Sequence, residues 1–303
     1  MSSKSKFTGK LIVIQGPTAS GKTGIAIELA KHFGAEIISA DSRQFYKEIP
    51  IGTAAPTASE QEEATHHFIA TLSIADDYNV SKYEHDVLNL LNTKFVDAPI
   101  VIMTGGSGLY IDAVCKGIDA LPDIDEDIRI EVKYIYHEKG LPALQKKLLD
   151  LDPIYYQQVD LNNPKRLFRA IEVCLQTGST YSELRKNKPQ IRSFQIIKIG
   201  ISIPRNILVE RINNRVEIMM DNGWVEEAKS VYPNKHYNSL NTVGYKELFA
   251  FFDGTMSYNE AIEKIKTNTR RYAKRQMTWF RKDNEIEWFD YNNIASMINY
   301  IKQ

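Results

Sequence analysis

The sequence predicts a protein of the α/β class, with a doubly wound, mostly parallel sheet interrupted by a helical insertion. Three observations carry this. Short apolar runs bounded by Gly, Pro or Asp alternate with helical patterns, which reads as a succession of strand–helix–strand units. The first run leads into the spacing Gly-x-x-x-x-Gly-Lys-Thr, from Gly16 to Thr23, and that loop opens a helical pattern. From 117 to 192 the strand signal vanishes. Together these give a P-loop α/β core made of 1–116 and 193–303, with a helical insertion domain at 117–192.

Taken in order, the buried strands are "LIVI" (11–14), "EIIS" (36–39), "HFIAT" (67–71), "PIVIM" (99–103) and "FQIIKIGISI" (194–203). Helical patterns between them include "GKTGIAIELAKHF" and "SKYEHDVLNLLNTKF". In the insertion, "DIDEDIRIEVKYIYHEKG", "PALQKKLLDLD" and "PKRLFRAIEVCLQTG" have helical periodicity with Pro and Gly at their boundaries. After the last core strand the remainder reads as helical, its longest segment running from about 257 to 282.

The 303 residues allow one large core and a small second domain. Lys plus Arg number 38 and Asp plus Glu number 38, so global charge selects no class of partner and local clusters must be read instead. Cys115 and Cys174 stand far apart without ligand spacing, which excludes a disulfide framework and a zinc module. Only four consecutive apolar residues precede Gln15, too few for a secretory h-region, and no later run approaches a membrane span. A cytoplasmic protein with no membrane association is expected.

The chemistry concentrates at strand ends. Backbone N–H groups of Gly16, Pro17, Thr18, Ala19, Ser20, Gly21, Lys22 and Thr23 (Pro17 excepted) can surround phosphate oxygens. Lys22 can neutralise them, and the Thr23 hydroxyl can bind Mg²⁺. The strand "PIVIM" continues into Thr104-Gly105-Gly106-Ser107 and lacks the metal-holding Asp of motor and switch NTPases, and no Asn-Lys-x-Asp reads a guanine. The loop is therefore free to hold something other than ATP or GTP. Asp41 and Ser42 follow the second strand, so three polar sites are expected to converge on one crevice at the carboxyl ends of the strands. A carboxylate there can take a proton from an attacking nucleophile. Two stretches are basic: Lys165, Arg166 and Arg169 in "PKRLFRAIEV", and 264–282, where eight Lys or Arg occur without an acid. In the second, Arg271 and Arg275 form an i,i+4 pair while Ala273, Met277 and Phe280 are expected to face the core. Such a stripe suits a polyanion.

The segments "GPTASGKT", "ISADSRQFYKEIPIGTAAP", "TGGSGLYIDAV", "NNPKRLFRAIEV", "RINNRVEIMMDNGWVEEA", "NTVGYKEL" and "RRYAKRQMTWFR", in this order, closely resemble the tRNA dimethylallyltransferases, the tRNA isopentenyltransferase family. The likeness runs from about Lys10 to Phe280. It implies transfer of a dimethylallyl group from dimethylallyl diphosphate to N6 of the adenosine on the 3′ side of the anticodon. By the same resemblance, Gly16 to Thr23 bind the diphosphate with Mg²⁺ at Thr23. Asp41 is the general base, Ser107 holds the reacting groups, and Lys22 and Arg215 bind diphosphate oxygens. The anticodon stem-loop of tRNA is implied to touch Asp41, Ser42, Arg43, Gln44, Ser107, Arg129, Lys165, Arg166, Leu167, Phe168, Arg169, Asn241, Thr242, Val243, Gly244, Tyr245 and Lys246, with Arg271 and Arg275 from the basic stripe. The target base must leave its stack. Many bacterial relatives have Thr in place of Ser107 and Arg in place of Asn241 and Lys246. Ser keeps the hydroxyl, whereas Asn241 removes a cation. No C-terminal zinc finger of the eukaryotic kind follows, so a bacterial-type monomer is expected. The alternatives are a small-molecule kinase and a tRNA-binding protein without catalysis.

Overall fold

Residues 6–119, 121–186 and 188–303 are described by the computed structural model; the first five residues of the leader reading and Asn187 of "NKPQ" lie outside them. The described chain forms two compact units, Met1–Cys115 with Arg192–Gln303, and Lys116–Ile191.

In the first unit, strands β1 (Lys10–Gln15), β2 (Ile37–Ser39), β3 (His66–His67), β4 (Ile100–Gly105), β5 (Gln195–Ser202) and β6 (Ile286–Asp290) make one parallel sheet in the order β3-β2-β4-β1-β5-β6. Its helices are α1 (Lys22–Phe33), α2 (Ala58–Glu63), α3 (Val80–Thr93), α4 (Gly108–Lys116), and, after the second unit, α9 (Arg205–Asp221), α10 (Trp224–Val231), α11 (Tyr245–Phe252), α12 (Tyr258–Phe280) and α13 (Ile294–Lys302). Alternation along β1 sends Leu11 and Val13 into the core under α3 and α4. Ile12 and Ile14 go into the core under α1 and α13. Burial on both faces is why the central strands read as unbroken apolar runs. From β1 the chain fills the β4 side of the sheet first and returns to the β5 side afterwards, so the winding reverses beside β1. That reversal opens a crevice beyond the strand ends.

Two expectations fail here. Of "HFIAT" (67–71) only His67 is in a strand, β3, because Phe68 (φ 62°) and Ala70 (φ 50°) take left-handed backbone that no ladder accommodates. The chain instead turns to donate Ala70 N–H to the Gln44 carbonyl. The carboxyl-terminal region is not wholly helical: "IEWFD" adds β6 at the sheet edge beside β5. Its two acids and five-residue length hide it from a search for apolar runs.

The second unit is helical: α5 (Glu126–Leu151), α6 (Pro153–Tyr156), α7 (Pro164–Thr177) and α8 (Tyr181–Leu184). α5 is broken at Gly140 (φ 71°, ψ −172°), a conformation that favours glycine and lets Pro142 begin a new helical run. Val132, Leu144, Leu148, Leu167, Ala170 and Ile171 form its separate core. Fully buried Asp152 closes it, accepting from Tyr155 N–H, Ser182 N–H and Ser182 Oγ at 2.9, 2.7 and 2.8 Å.

Candidate active site

The loop after β1 turns through left-handed backbone at Ala19 (φ 64°) and Gly21 (φ 92°) before α1 begins at Lys22. This winding gathers backbone N–H groups at a helix amino terminus, the arrangement that attracts phosphate. Lys22 folds back so that Nζ donates to the Pro17 carbonyl at 2.8 Å. The loop after β2 lies against the loop after β4: Ala40 N–H donates to the Thr104 carbonyl at 2.7 Å and Ser107 N–H to the Ala40 carbonyl at 3.3 Å. Ser107 Oγ accepts from Ser42 N–H at 3.0 Å and donates to Ser42 Oγ at 3.1 Å. Asp41 Oδ1 accepts from Arg43 N–H at 3.0 Å.

These loops wall a cavity of about 570 Å³ that brings together Thr18, Ala19, Gly21, Lys22, Thr23, Asp41, Gln44 and Arg215. The three expected strand-end sites converge there, with Thr104 and Gly105 supplying the β4 contribution and Ser107 just beyond them. An apolar wall from Pro50, Ile51, Ala54, Ala55 and Pro56, with Ile218 and Met219 of α9, completes it. Sequence reading missed this wall, whose 50–56 part has no strand or helix pattern. Glu227 holds it in place, its carboxylate accepting Ile51 N–H at 2.7 Å, Gly52 N–H at 2.8 Å and Tyr245 OH at 2.6 Å.

The electrostatics are those of a partly desolvated cluster. Burial, and then the neighbouring Arg215, lowers the Lys22 ammonium to about 7, against a smaller opposing pull from Asp41. Burial raises the Asp41 carboxyl above its usual range, opposed by Arg43 N–H and by Lys22. Arg215 is also lowered by burial. The cavity wall carries Lys22 and Arg215 with the carboxylates of Asp41 and Glu60, and the crowding of Lys22 against Arg215 is a place where a bound anion lowers the energy.

The remaining expected residues separate by exposure. Arg43 braces the main chain, donating to the Asn238 and Ser239 carbonyls at 3.0 Å each. Gln44 donates to the Ala54 carbonyl at 3.0 Å. Asn241 and Lys246 are exposed and Thr242 and Val243 half-buried. Tyr245 and Gly244, however, are buried, Tyr245 among Trp224 and Phe249, so its side chain serves the core and not a ligand surface. In the second unit Lys165 and Arg166 are exposed and Arg169 half-buried, with Arg129 on α5. Leu167 is buried there, so its side chain serves the core, while half-buried Phe168 packs on Tyr136.

On α12, Arg271, Lys274 and Arg275 are exposed. Lys266 is not part of a free stripe, since it pairs with Glu217 at 3.1 Å and Glu263 at 2.9 Å. Arg270 donates to Asn213 at 2.7 Å. Ala273 and Phe280 face the core as expected, but Met277 is only half-buried and Gln276 takes the inward position. A polar residue one turn from Phe280 on the apolar face was the available signal for it.

A family model described as IPP transferase matches residues 44–283. The chain belongs to the IPP transferase family. The tRNA dimethylallyltransferase of Christiangramia forsetii is 50% identical over 293 residues, 96% of this chain and 97% of that relative. A tRNA dimethylallyltransferase 2 of Azobacteroides pseudotrichonymphae is 51% identical over 284 residues, 94% of this chain and 92% of the relative. The crystal structure of the full-length tRNA isopentenylpyrophosphate transferase of Bacillus halodurans superposes with a TM-score of 0.71 at 34% identity, covering 97% of this chain and 96% of that one. Membership of the IPP transferase family decides against the small-molecule kinase.

Proposed function

We propose that this enzyme transfers a dimethylallyl group from dimethylallyl diphosphate to N6 of the adenosine 3′-adjacent to the anticodon of tRNA. One observation carries the reading: the phosphate loop, Arg215 and the Asp41 carboxylate share one cavity in a chain half identical to a tRNA dimethylallyltransferase. The diphosphate sits in the loop between Lys22 and Arg215, whose charges offset the negative charge that grows on the leaving oxygen. The allylic C–O bond breaks as the N6–C bond forms, and the N6 proton passes to Asp41. Because the adenine amine lone pair is delocalised into the ring, removal of that proton is what makes it a competent nucleophile. Ser107 fixes the loop that carries Ser42 beside the base.

Thr23 lines the same cavity as Asp41, and its hydroxyl, a hard oxygen donor, would hold Mg²⁺ there together with the substrate diphosphate. Bound there, the ion would neutralise diphosphate charge. The exposed Lys165, Arg166, Asn241, Lys246, Arg271 and Arg275 contact the anticodon stem-loop, whose target base is flipped out to enter. No helix among the described residues is long and apolar enough to cross a membrane; the proposed enzyme acts on tRNA in the cytoplasm as a monomer. The test is mass spectrometry of tRNA nucleosides after incubation with the protein, Mg²⁺ and dimethylallyl diphosphate. N6-isopentenyladenosine is expected; unmodified adenosine with purified, folded protein overturns the reading.

A further inference from the structure

A single side chain of α12 ties two loops of the cavity together. Gln276 is 5% exposed. Its Oε1 accepts from Thr18 N–H in the phosphate loop at 2.8 Å, and its Nε2 donates to the Gly106 carbonyl after β4 at 2.9 Å. These partners fix the orientation of the amide, because a backbone N–H only donates and a carbonyl only accepts. The fit has no slack, since a Cβ at Gly106 would stand 2.2 Å from Gln276 Nε2. Other α12 side chains grip the same loop. Tyr272, one turn earlier, lies beside Ser107, and Trp279 donates Nε1 to Asp112 at 2.9 Å while covering Gly108.

We propose that Gln276 is a positioning residue for the transfer reaction. It locks the phosphate loop to the Gly106–Ser107 segment and so fixes the spacing between the leaving diphosphate and the Asp41 base. The assignment rests on the prenyl-transfer reading above, in which the C–O bond breaks at one end of the cavity while a proton leaves N6 at the other. Both ends must be correctly placed in the same instant, and a misplacement of about 1 Å costs roughly 10²-fold in rate. An amide of this length both accepts at Thr18 and donates at Gly106. Methionine fills the volume and does neither, and glutamate keeps only the acceptor.

The test compares Gln276→Met and Gln276→Glu with the wild-type protein in prenyl transfer to tRNA, and measures inorganic pyrophosphate binding to each by calorimetry. Gln276→Met is expected to lower kcat by roughly 10²-fold with KM for tRNA within about twofold of wild type, a split that loss of folded protein does not produce. Pyrophosphate affinity should fall about tenfold as the Thr18 N–H loses its anchor. A folded Met variant with wild-type kcat and wild-type pyrophosphate affinity overturns the assignment. If the Met variant does not fold, the near-isosteric Glu variant decides: wild-type kcat overturns the proposal, and so does failure of both variants to fold, which makes the amide purely structural. Absence of transfer by the wild-type protein refutes the reading of function instead, and the pyrophosphate comparison still judges Gln276.

Discussion

Asp41 and Lys22 are perturbed in opposite directions by the same cause, partial desolvation of a crowded site. In the proposed reaction Asp41 is a base only when ionised, so kcat/KM for the prenyl diphosphate is expected to rise with pH through a value above the usual carboxylate range. Lys22 attracts the diphosphate only when protonated, so the same parameter declines again above about pH 7. Because kcat/KM reports the free enzyme, the expected profile is a bell with its alkaline limb near neutrality. Bound diphosphate favours the ammonium, so the alkaline limb of kcat lies at higher pH. A profile of kcat/KM that stays flat from pH 7 to about 9 contradicts the Lys22 assignment. Asp41→Asn keeps size and a hydrogen-bond acceptor but cannot take a proton. It should lower kcat by roughly 10²–10⁴ with smaller changes in either KM. If it keeps kcat and loses tRNA affinity, Asp41 positions the nucleotide and another group accepts the proton.

At the scale of the element, α12 works through two faces. Ala273, Gln276 and Phe280 lie inward, and Arg271, Lys274 and Arg275 lie outward. Ser257 caps the helix, with its side chain accepting Glu260 N–H and the Glu260 carboxylate accepting Ser257 N–H, so the helix starts sharply. Charge reversal at Arg271 and Arg275 should raise KM for tRNA and reduce the slope of log affinity against log salt by roughly one per lost phosphate contact. Pyrophosphate affinity should stay near normal. Lys266→Ala is the internal control: its ammonium is already neutralised by Glu217 and Glu263, so the salt slope should not move. A full slope in the reversed variant means the outer face only meets solvent.

The molecule as a whole joins two units with separate cores. Within the first unit, Arg192 donates to the Val114 and Ala113 carbonyls at 2.8 and 2.7 Å and pairs with Glu84 at 2.5 Å. The chain therefore leaves this unit and re-enters it at adjacent points. The second unit's own fold depends on Asp152, whose carboxylate satisfies three donors, the buried Tyr155 N–H and the part-buried Ser182 N–H and Oγ. Asp152→Ala leaves those donors unpaired and should destabilise this unit by about 1–3 kcal/mol. Hydrogen exchange should quicken in 116–191 while pyrophosphate binding by the first unit is retained. Loss of pyrophosphate binding in the same variant would show that the units do not fold separately.

Sequence alone determined the features whose physics is local. The phosphate loop is a spacing of residues that any strand-to-helix turn of this composition must form, and the central strands betray themselves by being apolar throughout. The helices of the insertion follow from their own periodicity and their Pro and Gly boundaries. Tertiary structure decided what depends on neighbours distant in the chain. β6 is a strand because β5 offers it an edge, and 68–71 is not one because Phe68 and Ala70 turn away from the sheet. Tyr245 and Leu167 look like members of contact motifs and are core residues, since burial is a property of the packed whole. A polar residue at 276 on the apolar face of α12 shows in the sequence, but its partners, 258 and 170 positions away, became visible only on folding, because a hydrogen bond between remote segments leaves no period in the sequence.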